Sequence, residues 1–226
     1  MRPRLIPVLL LDRDRRLVKT VRFGERTYIG DPFNVVRLFN EKEVDEICVL
    51  DIDASVDGRV ADVGFISELA SECFMPLSYG GGIVPGAPVD ALARAGVEKL
   101  ILGSQAVDFG FVRSLADDFG AQAVVGCIDY RGSAEGLVFV QSGGKHMGDN
   151  IIGYAQALAS GGVGEIILQS IDRDGLRRGM DLETIAKVSA AVPVPVVALG
   201  GAGEVSHLEE ALAAGASAAA SGSTFS

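Results

Sequence analysis

The sequence predicts a single (β/α)8 barrel made of two similar halves. Three observations point there. The chain matches itself at an offset of 119, eight short apolar runs alternate with helix-like segments, and glycine-rich turns follow strands at equivalent places in both halves. In the repeat, residues 45–53 (Asp-Glu-Ile-Cys-Val-Leu-Asp-Ile-Asp) fall on 164–172 (Gly-Glu-Ile-Ile-Leu-Gln-Ser-Ile-Asp). At the same offset Pro76 falls on Pro195, Gly81-Gly82 on Gly200-Gly201, Ala95-Gly96 on Ala214-Gly215 and Gly103-Ser104 on Gly222-Ser223. A unit this long is not a solenoid repeat and reads as two fused half-barrels, roughly 1–120 and 121–226.

The apolar runs are 5–11, 47–52, 76–79, 98–102, 122–128, 165–170, 194–199 and 217–221. Short runs without polar alternation mark parallel strands buried on both faces. Between them lie helical segments at 31–43, 62–73, 86–95, 108–118, 149–160, 181–191 and 205–214. Asp31 before Pro32, and Asp181 followed by Glu183, read as helix starts. An open, doubly wound sheet would share this alternation, but the two-fold repeat favours closure. The sequence ends five residues after the eighth strand, so the last helix of the barrel is missing from it. That predicts an apolar flank on strands one and eight, or a partner that covers it.

Composition narrows the function. A formal net charge of −10 argues against general affinity for nucleic acid or anionic membrane. No apolar run approaches the roughly 18 residues that span a bilayer, and no signal peptide is evident. The three cysteines, Cys48, Cys73 and Cys127, have no metal-ligand spacing and read as reduced thiols of a cytoplasmic protein.

In such a barrel the active site lies at the C-terminal ends of the strands. The polar residues expected there are Asp12, Asp51, Asp53, Ser78, Ser104, Asp129, Gln169, Ser170, Asp172, Asp174 and Ser223. Carboxylates dominate. His146 and His207 fall in loop or helix contexts, so proton transfer by carboxylates fits better than metal hydrolysis or thiol chemistry. Asp129 ends an apolar strand, a placement that raises a carboxyl pKa. Asp51 reads mainly as a structural acceptor and Asp174 lies in a charged turn beside a glycine-rich loop, and both are counted among the candidate substrate-binding residues. The twin glycine clusters offer backbone N–H groups to phosphate. One phosphate is assigned to Gly82, Gly103 and Ser104, the other to Gly175, Gly200, Gly201, Gly222 and Ser223.

Taken together, several motifs resemble the cyclase subunit of imidazole glycerol phosphate synthase over nearly the whole chain. They are Leu-Val-Lys at 17–19, Gly-Asp-Pro at 30–32, Asp-Glu at 45–46, Leu-Asp-Ile-Asp-Ala-Ser at 50–55 and Gly-Gly-Gly-Ile at 80–83. Further on come Ala-Gly-Val-Glu-Lys at 95–99, Ser-Ile-Asp-Arg-Asp-Gly at 170–175 and Gly-Gly-Ala-Gly at 200–203. The related isomerase shares the barrel, but the 170–175 motif and Phe225 point to the cyclase side.

The resemblance implies a glutaminase subunit docked at the N-terminal face, whose ammonia passes through the barrel. It implies a charged gate of Arg4, Glu46, Lys99 and Glu165, and no cofactor or metal. The implied reaction is lyase and ring-closing chemistry on a bisphosphorylated ribulosyl-formimino aminoimidazole carboxamide nucleotide, as in histidine biosynthesis. Two aspartates serve it as acid and base. Asp129 matches the second, and Lys19 is expected to neutralise charge near the reacting centre. For the first, the family reads Cys-Leu-Asp-Val-Lys where this chain reads Val8-Leu9-Leu10-Leu11-Asp12. Leu10 takes the aspartate's place, and Asp12, two residues on and on the same strand face by alternation, is the candidate for the first catalytic carboxylate, about 6–7 Å further along the strand. Gln169 replaces a small hydroxyl residue. The chain also resembles a paralogous group that supplies ammonia for nucleotide-sugar amidination in surface-polysaccharide synthesis and lacks the first aspartate. A third reading is a non-catalytic scaffold that activates its glutaminase.

Overall fold

A computed structural model describes residues 3–224. Along the chain, β1 (Arg4–Leu11) leads into a hairpin of β2 (Leu17–Thr20) and β3 (Arg26–Gly30). Next come α1 (Pro32–Glu41), β4 (Ile47–Asp51), the short α2 (Ala54–Asp57), α3 (Val63–Ser71), β5 (Leu77–Gly80), α4 (Val89–Ala95), β6 (Val97–Leu102) and α5 (Phe109–Phe119). The second half opens with β7 (Val124–Arg131) and a hairpin of β8 (Leu137–Val140) and β9 (Lys145–Asp149). It continues through α6 (Ile151–Gly161), β10 (Glu165–Ser170), α7 (Leu182–Ala191), β11 (Val196–Leu199), α8 (Val205–Ala213) and β12 (Ala218–Ser221).

Eight of these strands close a parallel barrel in the order β1, β4, β5, β6, β7, β10, β11, β12, with β12 returning to β1. They coincide with the eight apolar runs to within a few residues at each end. The register repeats as the sequence does. Leu10 pairs with Leu50 and Asp129 with Gln169; Gly80 pairs with Ile101 and Leu199 with Ala220. Each of these pairs maps onto the other at the offset of 119.

Apolar side chains split into two cores, because alternate strand residues point to opposite faces. Ile6, Val8, Cys48, Ile101, Val125, Ile167, Val197, Leu199, Ala218 and Ala220 fill the bore. Leu9, Leu11, Val49, Leu100, Ile128, Ile166 and Leu168 pack outward beneath the helices. Helix starts follow the expected chemistry. Asp31 accepts from the N–H groups of Phe33 and Asn34 with Pro32 in the first turn, and Asp181 accepts from Thr184 N–H. Among the described residues no helix is long and apolar enough to cross a membrane.

The two hairpins were not expected from the sequence. Each extends the strand that opens its half-barrel, β1 or β7, by antiparallel pairing. His146 accordingly sits on β9, not in a loop or helix, within 2.9 Å of Asp149. Phe225 lies outside the described residues.

Candidate active site

Strand alternation builds the site from bottom to top. Stepping by two residues, β1 presents Arg4, Ile6, Val8 and Leu10 to the barrel axis. The approach to β4 and the strand itself present Glu46, Cys48 and Leu50, and β6 presents Lys99 and Ile101. β7 presents Val125, Cys127 and Asp129, and β10 presents Glu165, Ile167 and Gln169. The charged residues thus gather at the N-terminal end, apolar residues in the middle and polar residues at the mouth.

At the N-terminal end Arg4, Glu46, Lys99 and Glu165 form a closed ring of alternating sign. Arg4 donates to Glu46 at 2.7 Å and to Glu165 at 2.5 Å. Lys99 donates to the same two carboxylates at 2.9 Å each. Both glutamates are buried, and each is held by two cations, the arrangement that makes a desolvated charge tolerable. Above the ring a narrow void is lined by Ile6, Val8, Cys48, Ser78, Ile101 and Val125. Burial pushes the Cys48 thiol up to about 12, so it is a neutral wall atom.

At the mouth Asp129 lines a pocket with Leu10, Leu50, Ile101, Cys127, Val140 and Gln169. Burial raises its carboxyl to about 7, and the neighbouring charge of Asp174 adds to the effect. The Cys127 thiol, 3.5 Å away, works in the opposite direction by donating to the carboxylate. A carboxyl poised near neutrality can either give or take a proton.

Asp12 does not face this pocket. Its carboxylate accepts from the backbone N–H groups of Asp14 and Arg16 and from the Arg16 guanidinium, at 2.8–3.0 Å. Burial alone would raise its pKa, but these bonds lower it. The inward place on β1 belongs to Leu10. Asp51 is likewise engaged, in a two-point pair with Arg59 at 3.0 and 3.1 Å and by the N–H groups of Asp53 and Ala54.

The two glycine sets are gathered separately. Gly82, Gly103 and Ser104 line one cleft with Ser55, Arg59 and Gln105. Gly175, Gly200, Gly201, Gly222 and Ser223 line a second, larger one of about 320 Å³ with Lys19 and Asp174. Val35, Leu38 and Phe39 of α1 form part of its wall. Glycine is required at Gly201: φ is +103°, and a Cβ there would lie 2.3 Å from the Gly179 carbonyl. Burial, then the nearby charge of Arg177, hold the Lys19 ammonium below the usual lysine range.

The hairpins roof the mouth, and residues the sequence reading did not single out hold them there. Arg26 on β3 makes a two-point pair with buried Asp53, both bonds at 2.7 Å. Thr20 donates its hydroxyl to Asp174 at 2.6 Å, and Phe23 N–H donates to the same carboxylate. From the other hairpin Gln141 N–H donates to the Ser104 hydroxyl, and Ser142 donates to the Ile52 carbonyl. The positive-φ pairs Arg22-Phe23 and Gln141-Ser142 fall on each other in the repeat, although they share no residue that would mark a turn. Among the described residues no cluster of three or more His, Cys, Asp or Glu could hold a metal.

Comparison with known proteins agrees with this architecture. The family described as "Histidine biosynthesis protein" matches residues 4–226. A Pseudomonas aeruginosa protein named "Putative imidazole glycerol phosphate synthase subunit hisF2" is 47% identical over 211 residues, covering 92% of this chain and 84% of its own. A Leptospira borgpetersenii protein named "Putative imidazole glycerol phosphate synthase subunit HisF" is 43% identical over 213 residues, with the same coverage. A Vibrio vulnificus protein named as subunit hisF3 is 42% identical over 212 residues, covering 92% of this chain and 81% of its own. The chain belongs to the histidine biosynthesis protein family, and within it to the cyclase-type subunits of imidazole glycerol phosphate synthase and their paralogues.

Proposed function

We propose that this chain is the ammonia-handling barrel of a glutamine amidotransferase pair. In this reading a glutaminase subunit docks over the ring of Arg4, Glu46, Lys99 and Glu165. Ammonia enters at the ring, crosses the bore and emerges beside Asp129. The observation that carries the reading is the sequence of environments on one axis: charged ring, apolar bore, titratable carboxylate. From Glu165 to Gln169 this spans about 13 Å at the rise of a parallel strand.

The physics of the path selects the neutral molecule. Ammonium would lose its hydration among Ile6, Val8, Val125, Ile167 and Val197, at a cost of several kcal/mol. Ammonia carries no net charge and avoids that cost. In the cyclase form of this reading Asp129 exchanges a proton with the reacting group at the mouth, Lys19 offsets developing negative charge, and the two glycine clefts hold the phosphates of the bisphosphorylated nucleotide.

The fate of the ammonia follows from Leu10. Ring closure to imidazole glycerol phosphate needs an acid and a base, and losing one such group typically slows a reaction ~10²–10⁴-fold. Leu10 offers no proton, and Asp12 is bonded within its own turn. The geometry therefore favours delivery to an acceptor on a third protein, of the nucleotide-sugar type, over cyclisation in this barrel. The twin glycine clefts flanking Asp129 favour the second reading, a retained but slow cyclase on the bisphosphorylated nucleotide.

The test is association and coupling with a glutaminase subunit of this class. The chain should form a complex with it and raise its glutamine turnover, and Lys99→Ala should release ammonia to solvent. Absence of both association and stimulation would remove the reading.

A further inference from the structure

The two glycine clefts have the same backbone plan but differ in how their cations are engaged. Beside the second stand Lys19 and Arg177, with Asp174 as the one carboxylate in the lining. Asp174 is turned toward the hairpin, where Thr20 and Phe23 donate to it. Arg177 donates to the Ser223 carbonyl at 3.2 Å, which brings its guanidinium to the rim of the cleft. Among the described residues Arg177 has no carboxylate ion-pair partner. The first cleft has one cation in its lining, Arg59, and this is occupied by Asp51 at 3.0 Å and Asp57 at 3.3 Å.

The repeat isolates the difference. The counterpart of Lys19 is Val138, and the counterpart of Arg177 is Gly58. Gly58 and Arg177 share a left-handed backbone, with φ of +65° and +60°. Glycine adopts that conformation freely, whereas an arginine is strained there. A strained residue held at a ligand cleft points to a functional role for its side chain. The guanidinium supplies planar N–H pairs suited to phosphate oxygens. Burial is the main cause that holds the Lys19 ammonium low, and the charge of Arg177 close by adds to it.

We infer that Arg177 and Lys19 make the Gly175–Gly201–Gly222 cleft the primary site for a phosphate monoester dianion, with the Gly82–Gly103 cleft as a weaker, secondary site. A ligand with two unequal ends binds with its more highly charged phosphate at Arg177. This rests on reading the glycine clefts as phosphate sites.

Titration of the labelled protein with inorganic phosphate, followed by amide shifts, tests it. The Gly201 and Gly222 amides should saturate at about tenfold lower phosphate than those of Gly82 and Gly103, the effect of one charge-assisted contact. Arg177→Gly suits the left-handed backbone, so it folds; it should weaken the second cleft about tenfold and leave the first unchanged. Arg177→Lys should restore part of the loss. Equal saturation of the two clefts in the native protein, or an Arg177→Gly variant with undiminished affinity, would overturn the assignment. Shifts in neither cleft would overturn the phosphate reading itself as well.

Discussion

Leu10 and Asp129 occupy the same place in the two halves of the barrel. Leu10 pairs with Leu50 across β1 and β4, Asp129 pairs with Gln169 across β7 and β10, and the pairs superpose at the offset of 119. One half therefore presents a carboxyl to the mouth where the other presents an isobutyl group. Two-fold geometry persists while two-fold chemistry does not.

The Asp129 carboxyl gives the fold a defined pH dependence. Its folded pKa, raised by burial to about 7, exceeds the ~3.9 of an unfolded aspartate. Between these values the folded state holds the extra proton, so stability falls as pH rises from about 4 to about 7. Asp129→Asn should remove this slope and stabilise the protein above neutral pH by on the order of 2–4 kcal/mol, since the site is partly open to solvent. Denaturant melts at pH 5 and pH 8 check it. The same substitution should abolish any proton-transfer activity.

Breaking the charged ring should cost stability as well as coupling. Lys99→Ala leaves Glu46 and Glu165 with Arg4 as their one cation. We expect a loss of about 1–3 kcal/mol, below the full penalty of a buried pair because Lys99 keeps some solvent contact. Urea midpoints measure it. Leakage of ammonia from a glutaminase complex gives the functional readout.

Asp12→Ala should unpin the turn after β1. Two backbone N–H groups and the Arg16 guanidinium lose their acceptor. The expected cost is about 1–3 kcal/mol, with faster amide exchange at Asp14 and Arg16. Any ammonia-dependent activity should fall far less than in Asp129→Asn.

Gly201→Ala should be severe. The added carbon meets the Gly179 carbonyl in a backbone conformation that alanine resists. A destabilisation of about 2 kcal/mol or more is expected, with loss of phosphate binding at the second cleft before the first. Thermal melts and phosphate titration check the two effects separately.

The barrel was legible because its signals are strong. Runs such as Val196–Leu199 are buried on both faces and leave no alternative to a parallel strand. Asp31 and Asp181 cap helices where the sequence places them. The hairpins were not legible, for two reasons. β3 is a largely exposed strand with no apolar stripe. Its turn uses Arg22 and Phe23 at φ of +52° and +61°, where glycine or asparagine would have announced it. Asp12 shows the limit of alternation. The rule places it on the inward face, but β1 ends at Leu11 and the turn beyond takes the carboxylate. Arg26 and Thr20 could not be assigned before the hairpin that carries them was placed.

The central claim is that Leu10 leaves the mouth one acid–base group short. The direct measurement is ammonium-dependent turnover of the bisphosphorylated ribulosyl-formimino nucleotide at mildly alkaline pH, comparing the native chain with Leu10→Asp. The account predicts a native rate at least ~10²-fold below that of Leu10→Asp. A native chain that turns over at an enzyme-like rate, with no gain from Leu10→Asp, would contradict it.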